Sequence, residues 1–376
     1  MDKLYSVLPA VLSAGVKNEN VYDKVSGISP ELFSRLIKFA TEHGVSSAFY
    51  MGLVNSNITV NDYPQMKDLE KRSLFNELKT EKLIFEEQSL FELFEKHGIN
   101  YLVMKGTVLR ALYQNPSLRS SCDIDVVLDK KDKKKVFSLL EENGYIRVKD
   151  YEEEITYKSS GNQAIELHFD ITEGDKSLKP LFEGYLERAT RLEDKKFGYK
   201  LCAEDFVIYH ISHIAKHLKS GGCGIKSIMD LYVMAKSLPY SEEIVEKRLQ
   251  SAGLIKLYEE LIKLKDYWFM NKSADETTTE LARFIIDGGA YGSDEMQNGI
   301  KKERKGKVKY FFSRVFVPYG ALKTTYPVLV KWKVLYPFCL IHRFFKYIFG
   351  KKEKIKEESG NYNAEKASKL LMKLGL

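Results

Sequence analysis

Asp123 and Asp125 stand two apart in the run Asp123-Ile-Asp-Val-Val-Leu128. On a strand, a period of two puts both carboxylates on one face. Two carboxylates so close repel and raise each other's proton affinity. A divalent cation relieves that repulsion, and Mg²⁺ or Mn²⁺ accepts carboxylate oxygens together with phosphate. Glu166, in the later apolar run Ala164–Phe169, is placed to complete such a site, and His168 shares its face two residues on. Upstream lies Met104-Lys-Gly-Thr107. A glycine after a strand lets the backbone come close to a ligand. A helix starting at Thr107 would aim free N–H groups at an anion, with the Thr107 hydroxyl adding a bond to phosphate. Alone, a Lys-Gly turn is usually only a turn and an Asp-x-Asp only a solvated pair. Their combination in this order carries the chemical reading.

The elements needed to hold these residues can be read from the surrounding pattern. Residues 1–96 read as helical, with one helix following Pro30 and a longer one from Asp68 to Lys96 that includes Leu74, Leu78, Leu83, Leu90 and Phe94. Tyr101–Met104 reads as a strand, Thr107–Tyr113 as a helix, Asp123–Leu128 as a second strand, Lys131–Asn143 as an amphipathic helix, and Ile155–Tyr157 and Ala164–Phe169 as further strands. Two helices flank the glycine-rich joint 220–224, more cover about 241–286, and a short one spans Ala364–Leu374. The expected fold class is α+β, a small mixed sheet with helices embedded between helical regions. The expected division is 1–96 helical, 97–200 α/β core, 201–300 helical and 301–376 basic and aromatic.

Met104-Lys105-Gly106, Leu109 and Tyr113, Arg119, Asp123-Ile124-Asp125, Gly144-Tyr145 and Glu166-Leu167-His168 occur in this order. The series resembles the DNA polymerase β-like nucleotidyltransferase superfamily, and more closely the bacterial uncharacterised nucleotidyltransferase family. The resemblance covers roughly residues 30–240 and extends more weakly to about 345. Thr107 stands where the superfamily has a second Gly or Ser, Cys122 where a small residue is expected, and Glu166 where many relatives have Asp. The resemblance implies a polymerase β-like core that moves an NMP from an NTP to an acceptor hydroxyl, with release of pyrophosphate. It implies that Asp123, Asp125 and Glu166 hold two Mg²⁺ (or Mn²⁺) ions, and that Lys105, Gly106, Thr107 and Arg119 contact the nucleotide. For Lys105 and Arg119, a salt bridge is the competing reading. His168, His213, His217 and Asp230 are expected to border the site, the last matched by a Gly224-Ile225…Asp230-Leu231 segment.

Composition bounds the remaining readings. A net charge of +7 over 376 residues is compatible with an anionic ligand and does not demand nucleic acid, so no DNA partner is expected. Four scattered cysteines without a CxxC pair suggest neither a zinc ribbon nor a disulfide framework and fit a reducing cytoplasm. The N-terminus lacks a signal-peptide pattern, and no apolar run is long enough for a membrane span. His213 and His217 have the i, i+4 spacing of a metal pair, but the zinc-protease arrangement is absent, and a polar helix face near the cleft is the preferred reading. The basic, aromatic stretch 301–354 reads either as a weak contact with an anionic membrane surface or as a helical lobe with aromatics inside, the latter favoured. The acceptor is expected to be a small molecule or sugar. A protein- or tRNA-modifying enzyme and a non-catalytic nucleotide-binding protein are the rivals.

Overall fold

The computed structural model describes residues 3–150, 154–172, 175–289, 292, 294–305, 312, 316–319, 322, 325–349 and 364–376. Among these residues, seven strands form one mixed sheet: β1 (Tyr101–Val103), β2 (Asp123–Leu128), β3 (Ile146–Asp150), β4 (Glu154–Lys158), β5 (Ala164–His168), β6 (Thr190–Arg191) and β7 (Gly198–Lys200). Their order is β3-β4-β5-β2-β1-β7-β6. β2 runs antiparallel to β1 and parallel to β5, so the two carriers of carboxylates lie side by side at the centre. All of Ile124–Leu128 is buried, which explains the near-continuous apolar run.

The helices before the sheet are α1 (Leu4–Lys17), α2 (Tyr22–Val25), α3 (Pro30–Glu42), α4 (Ser46–Asn55) and α5 (Met66–Lys96). Ser29 caps α3 by accepting from the Leu32 N–H, with Pro30 in the first turn. α1 and α4 cross closely: a Cβ on Gly15 would lie 2.0 Å from the Ala48 carbonyl oxygen, so only glycine fits. Within the sheet region lie α6 (Lys105–Arg110), α7 (Lys133–Glu142) and α8 (Tyr185–Arg188). After it come α9 (Ala203–Lys219), α10 (Ile225–Ser237), α11 (Glu242–Ser251), α12 (Ile255–Phe269), α13 (Glu276–Gly288), α14 (Asp294–Lys305), α15 (Val328–Lys331), α16 (Tyr336–Phe349) and α17 (Ala364–Lys373).

Alternation on the strands builds two cores. Ile124, Val126, Tyr101, Val103, Ile165 and Leu167 pack against Leu83, Leu90 and Phe94 of α5 and Val136, Leu139 and Leu140 of α7. On the other face, Leu102 and Val127 join a larger apolar cluster drawn from α1, α3, α4, α9, α10, α12 and α13. The acid-bearing face of the sheet is therefore the one turned toward the helical mass, because Asp123 and Asp125 alternate in phase with Val127.

Several sequence expectations need correction. α6 starts at Lys105, not Thr107. Leu74 and Leu78, part of the apolar pattern of α5, are exposed, because this helix is clamped by the cores only toward its two ends. β3, β6 and β7 were not anticipated: β3 is an edge strand alternating with Arg147 and Lys149, and β6 and β7 are two and three residues long. Parts of 301–354 lie outside the described residues. Among the described residues, no helix is long and apolar enough to cross a membrane.

Candidate active site

A cavity of about 370 Å³ separates the acid-bearing sheet face from α9 and α10. Asp123, Asp125, Glu154 and Glu166 line one wall, and Lys105, Gly106 and Arg119 lie at the end near α6. His210, His213, Lys216 and His217 of α9 and Lys226, Ser227 and Asp230 of α10 line the wall opposite. Residues more than a hundred positions apart in sequence thus share one polar space.

Register decides which donors converge. In the β2–β5 ladder, Asp125 pairs with Glu166 and Val127 with His168, whereas Asp123 faces Ala164, which has no donor. One ligand atom each from Asp125, Glu166 and His168 accordingly lies within 4.8 Å of the others. His168 Nε2 is 3.0 Å from Asp125 Oδ1 and 3.9 Å from Glu166 Oε2. This differs from the expected trio: His168 stands among the converging donors, and Asp123 lies outside that tight group, two residues along the same strand face.

Charge is unevenly balanced on this wall. Lys105 Nζ donates to Asp125 Oδ1 at 3.0 Å. Burial alone would raise the Asp125 pKa, but the Lys105 ammonium and the bond from His168 outweigh it and hold the carboxyl well below its usual range. Lys105 also favours the charged form of Glu166, but as the smallest of the influences on it. Burial, then the charges of Asp125, Asp123 and Glu154, push its pKa up to about 7. Asp123 is also raised, by burial and by Asp125.

The loop that carries Lys105 is fixed by the Met104 N–H donating to the Asp125 carbonyl (3.2 Å). Lys105 itself sits at φ +38°, a backbone region unfavourable to a side-chain-bearing residue. Gly106 serves close packing: a Cβ there would meet Arg110 Nη1 at 2.8 Å and Ser121 Oγ at 2.9 Å. Thr107 departs from its expected role. Because the helix begins two residues early, its hydroxyl turns back to donate to Glu87 Oε1 of α5 (2.5 Å), a carboxylate also paired with Arg110.

Arg119 is buried, donating through Nε to Asp230 Oδ1 (2.9 Å) and through Nη1 to Ser121 Oγ (2.6 Å) while lining the cavity. Tyr113 donates to the same Asp230 oxygen at 2.7 Å. Both readings of Arg119 therefore meet in one residue: a salt bridge holds a guanidinium at the cavity wall. His213 and His217 bring their Nε2 atoms to 2.9 Å of each other. His210 is turned to the Ser227 carbonyl, and burial lowers its pKa.

Sequence reasoning missed Glu154 and Lys226. Glu154 opens an edge-proximal strand and reaches the site only through its pairing opposite His168. Lys226 follows the Gly224-Ile225 pair that drew attention, but its own place at the cavity depends on how α10 docks. Its ammonium donates to the Ser120 carbonyl at 3.1 Å, and burial lowers its pKa. Among the described residues no carboxylate lies within 4.0 Å of it.

A family model described as uncharacterised nucleotidyltransferase matches residues 29–270, which contain every residue named above in the site. Among solved structures, an antigenic nucleotidyltransferase-like protein from Paracoccidioides brasiliensis is similar at 20% identity and a TM-score of 0.34, the likeness covering 50% of this chain and 93% of that one. No curated protein matches the chain.

Proposed function

Because the chain belongs to the family of uncharacterised nucleotidyltransferases, we propose that it moves a nucleoside monophosphate from an NTP to an acceptor hydroxyl, with a polymerase β-like site in the cavity between β2–β5 and α9–α10. The observation that carries this reading is the convergence of Asp125, Glu166 and His168 beside Asp123, next to the Lys105-Gly106 turn. Two carboxylates and an imidazole within 4.8 Å fit a small divalent ion, with Asp123 alongside for a second. When bound, Mg²⁺ or Mn²⁺ would supply Lewis-acid charge against the triphosphate.

The chain's own groups account for the rest. Lys105 places a cation beside the carboxylates, and Arg119 and Lys226 place two more around the cavity, where charge-assisted bonds suit phosphate oxygens. Asp230 and Tyr113 keep Arg119 in place. Glu166, whose carboxylate stands among the converging donors, is the group placed to take the acceptor's proton. The acceptor oxygen then bonds to the α-phosphorus, the bond to the β-phosphate bridge breaks, and pyrophosphate leaves. A cavity of about 370 Å³ is in the range of small-ligand sites, and the acceptor on this reading is a small hydroxyl-bearing molecule such as a sugar.

The test is transfer of label from an α-labelled NTP, with Mg²⁺ or Mn²⁺, into fractionated cell extract. Label in a small, phosphatase-resistant product supports the reading. Label in protein or tRNA would change the acceptor class, and nucleotide binding without pyrophosphate release would leave a binding protein.

A further inference from the structure

Five large apolar side chains are solvent-exposed in one stretch: Trp332 (61%), Val334 (71%), Phe338 (64%), Ile341 (53%) and Phe345 (50%). On α16, Phe338, Ile341 and Phe345 follow a three- and four-residue spacing, so they form one stripe. The stripe is not the misplaced inside of a lobe. Cys339 is buried, and Tyr336 and Leu340 pack against a small cluster around Leu322 and Leu329. The helix therefore has one apolar face already packed and a second one facing water, which a lone soluble helix has no physical reason to keep.

Charge selects the occupant. Residues 301–354 hold fifteen lysines and arginines against two glutamates, and 328–349 hold no acid at all. Lys331 and Lys333 are exposed beside Trp332 and Val334. A second copy of this face would bring like charge against like charge. A nucleic acid would satisfy the bases but leave Val334 and Ile341 wet. An anionic lipid surface satisfies both, because headgroups pair with lysines while acyl chains take the apolar stripe. The 14-residue α16 is about 21 Å long, shorter than the roughly 30 Å of a bilayer core, so it suits lying in the interface.

We propose that the stripe Phe338–Ile341–Phe345, with Trp332 and Val334 and the flanking lysines, docks this protein on an anionic membrane surface. This inference is independent of the activity proposed for the cavity. It departs from the expectation that the aromatics of this region sit inside at Trp332, Phe338 and Phe345, whereas Tyr319, Tyr326 and Tyr336 do pack against the small cluster.

The experiment is flotation of the full chain with phosphatidylcholine vesicles, with and without phosphatidylserine. The parent protein should float with the anionic vesicles at low salt, and at least about tenfold less at high salt. Phe338→Ser/Ile341→Ser/Phe345→Ser should cut the bound fraction at least about tenfold. Lys331→Glu/Lys333→Glu leaves the apolar residues alone and should weaken binding in the same direction, which keeps the test valid if the serine variant misfolds. No binding by the parent, or binding unchanged in the charge variant, overturns the proposal. So does a parent that binds RNA or self-associates through these residues while ignoring vesicles.

Discussion

Two charge clusters face each other across the cavity, and they are built on opposite principles. Around Asp230, one carboxylate is matched by the Arg119 guanidinium and the Tyr113 hydroxyl, all buried. Around Asp125, four carboxylates share the wall, and Lys105 is held 3.0 Å from Asp125 Oδ1. The first cluster closes on itself and joins α6, the following turn and α10. In the second, burial and neighbouring carboxylates raise Glu166 and Asp123, whereas Lys105 and His168 hold Asp125 low. The first network fixes the Arg119 guanidinium at the cavity wall, and the second leaves carboxylates whose charges repel one another.

The largest expected effect tests the open cluster. Asp123→Asn and Glu166→Gln should each cut turnover by about a thousandfold, roughly 4 kcal/mol of transition-state stabilisation. Without metal, the melting temperature should stay level or rise, since each change relieves repulsion. Asp125→Asn should lose comparable activity but also lose about 1 kcal/mol of stability, because Lys105 and His168 lose a charged partner. If all three variants gained stability alike, the distinction between paired and unpaired acids within the cluster would fall.

The closed cluster should respond in the opposite sense. Asp230→Asn leaves the Arg119 charge buried without its counter-charge and should cost about 3 kcal/mol, read in denaturant unfolding. Removing both partners with Arg119→Met/Asp230→Leu should cost less than the sum of the single changes. A smaller effect separates the clusters by ligand. At an NTP concentration about a hundredfold above Kd, linkage should add roughly 2.7 kcal/mol with Mg²⁺, and far less with chelator. Equal stabilisation in both conditions would argue against a metal-dependent site.

The smallest effect is a pH slope. Glu166 holds its proton up to about 7 in the folded chain, above the ordinary carboxyl range. The folded state therefore binds more proton than the unfolded one between those values. This contribution is complete below the ordinary value and is lost as pH rises toward 7. Metal-free melting temperature should fall across that window, and Glu166→Gln should flatten the slope. An equally steep slope in the variant would place the titrating group elsewhere.

The parts legible in the sequence were those specified by local chemistry. The Asp123-Ile-Asp spacing marked β2, Pro30 marked the start of α3, and the glycine-rich joint separated α9 from α10. What escaped depended on pairing and docking. His168 enters the donor group, and Asp123 stays outside it, because of where β5 sits in register beside β2. Thr107 is lost from the cavity because α6 begins two residues before the expected turn. Glu154 and Lys226 arrive from elements whose placement no local pattern encodes. The exposed stripe on α16 read as core because its spacing is helical on both faces, and periodicity alone does not say which face is covered.

The most direct test of the account is pyrophosphate release from NTP by the parent chain and by Asp123→Asn/Asp125→Asn, each with Mg²⁺ or Mn²⁺ and with chelator. The account predicts metal-dependent release by the parent, abolished by chelator, with the double variant at least about a thousandfold slower although still folded. Release by the double variant at the parental rate would contradict the assignment of the active site to the β2–β5 wall.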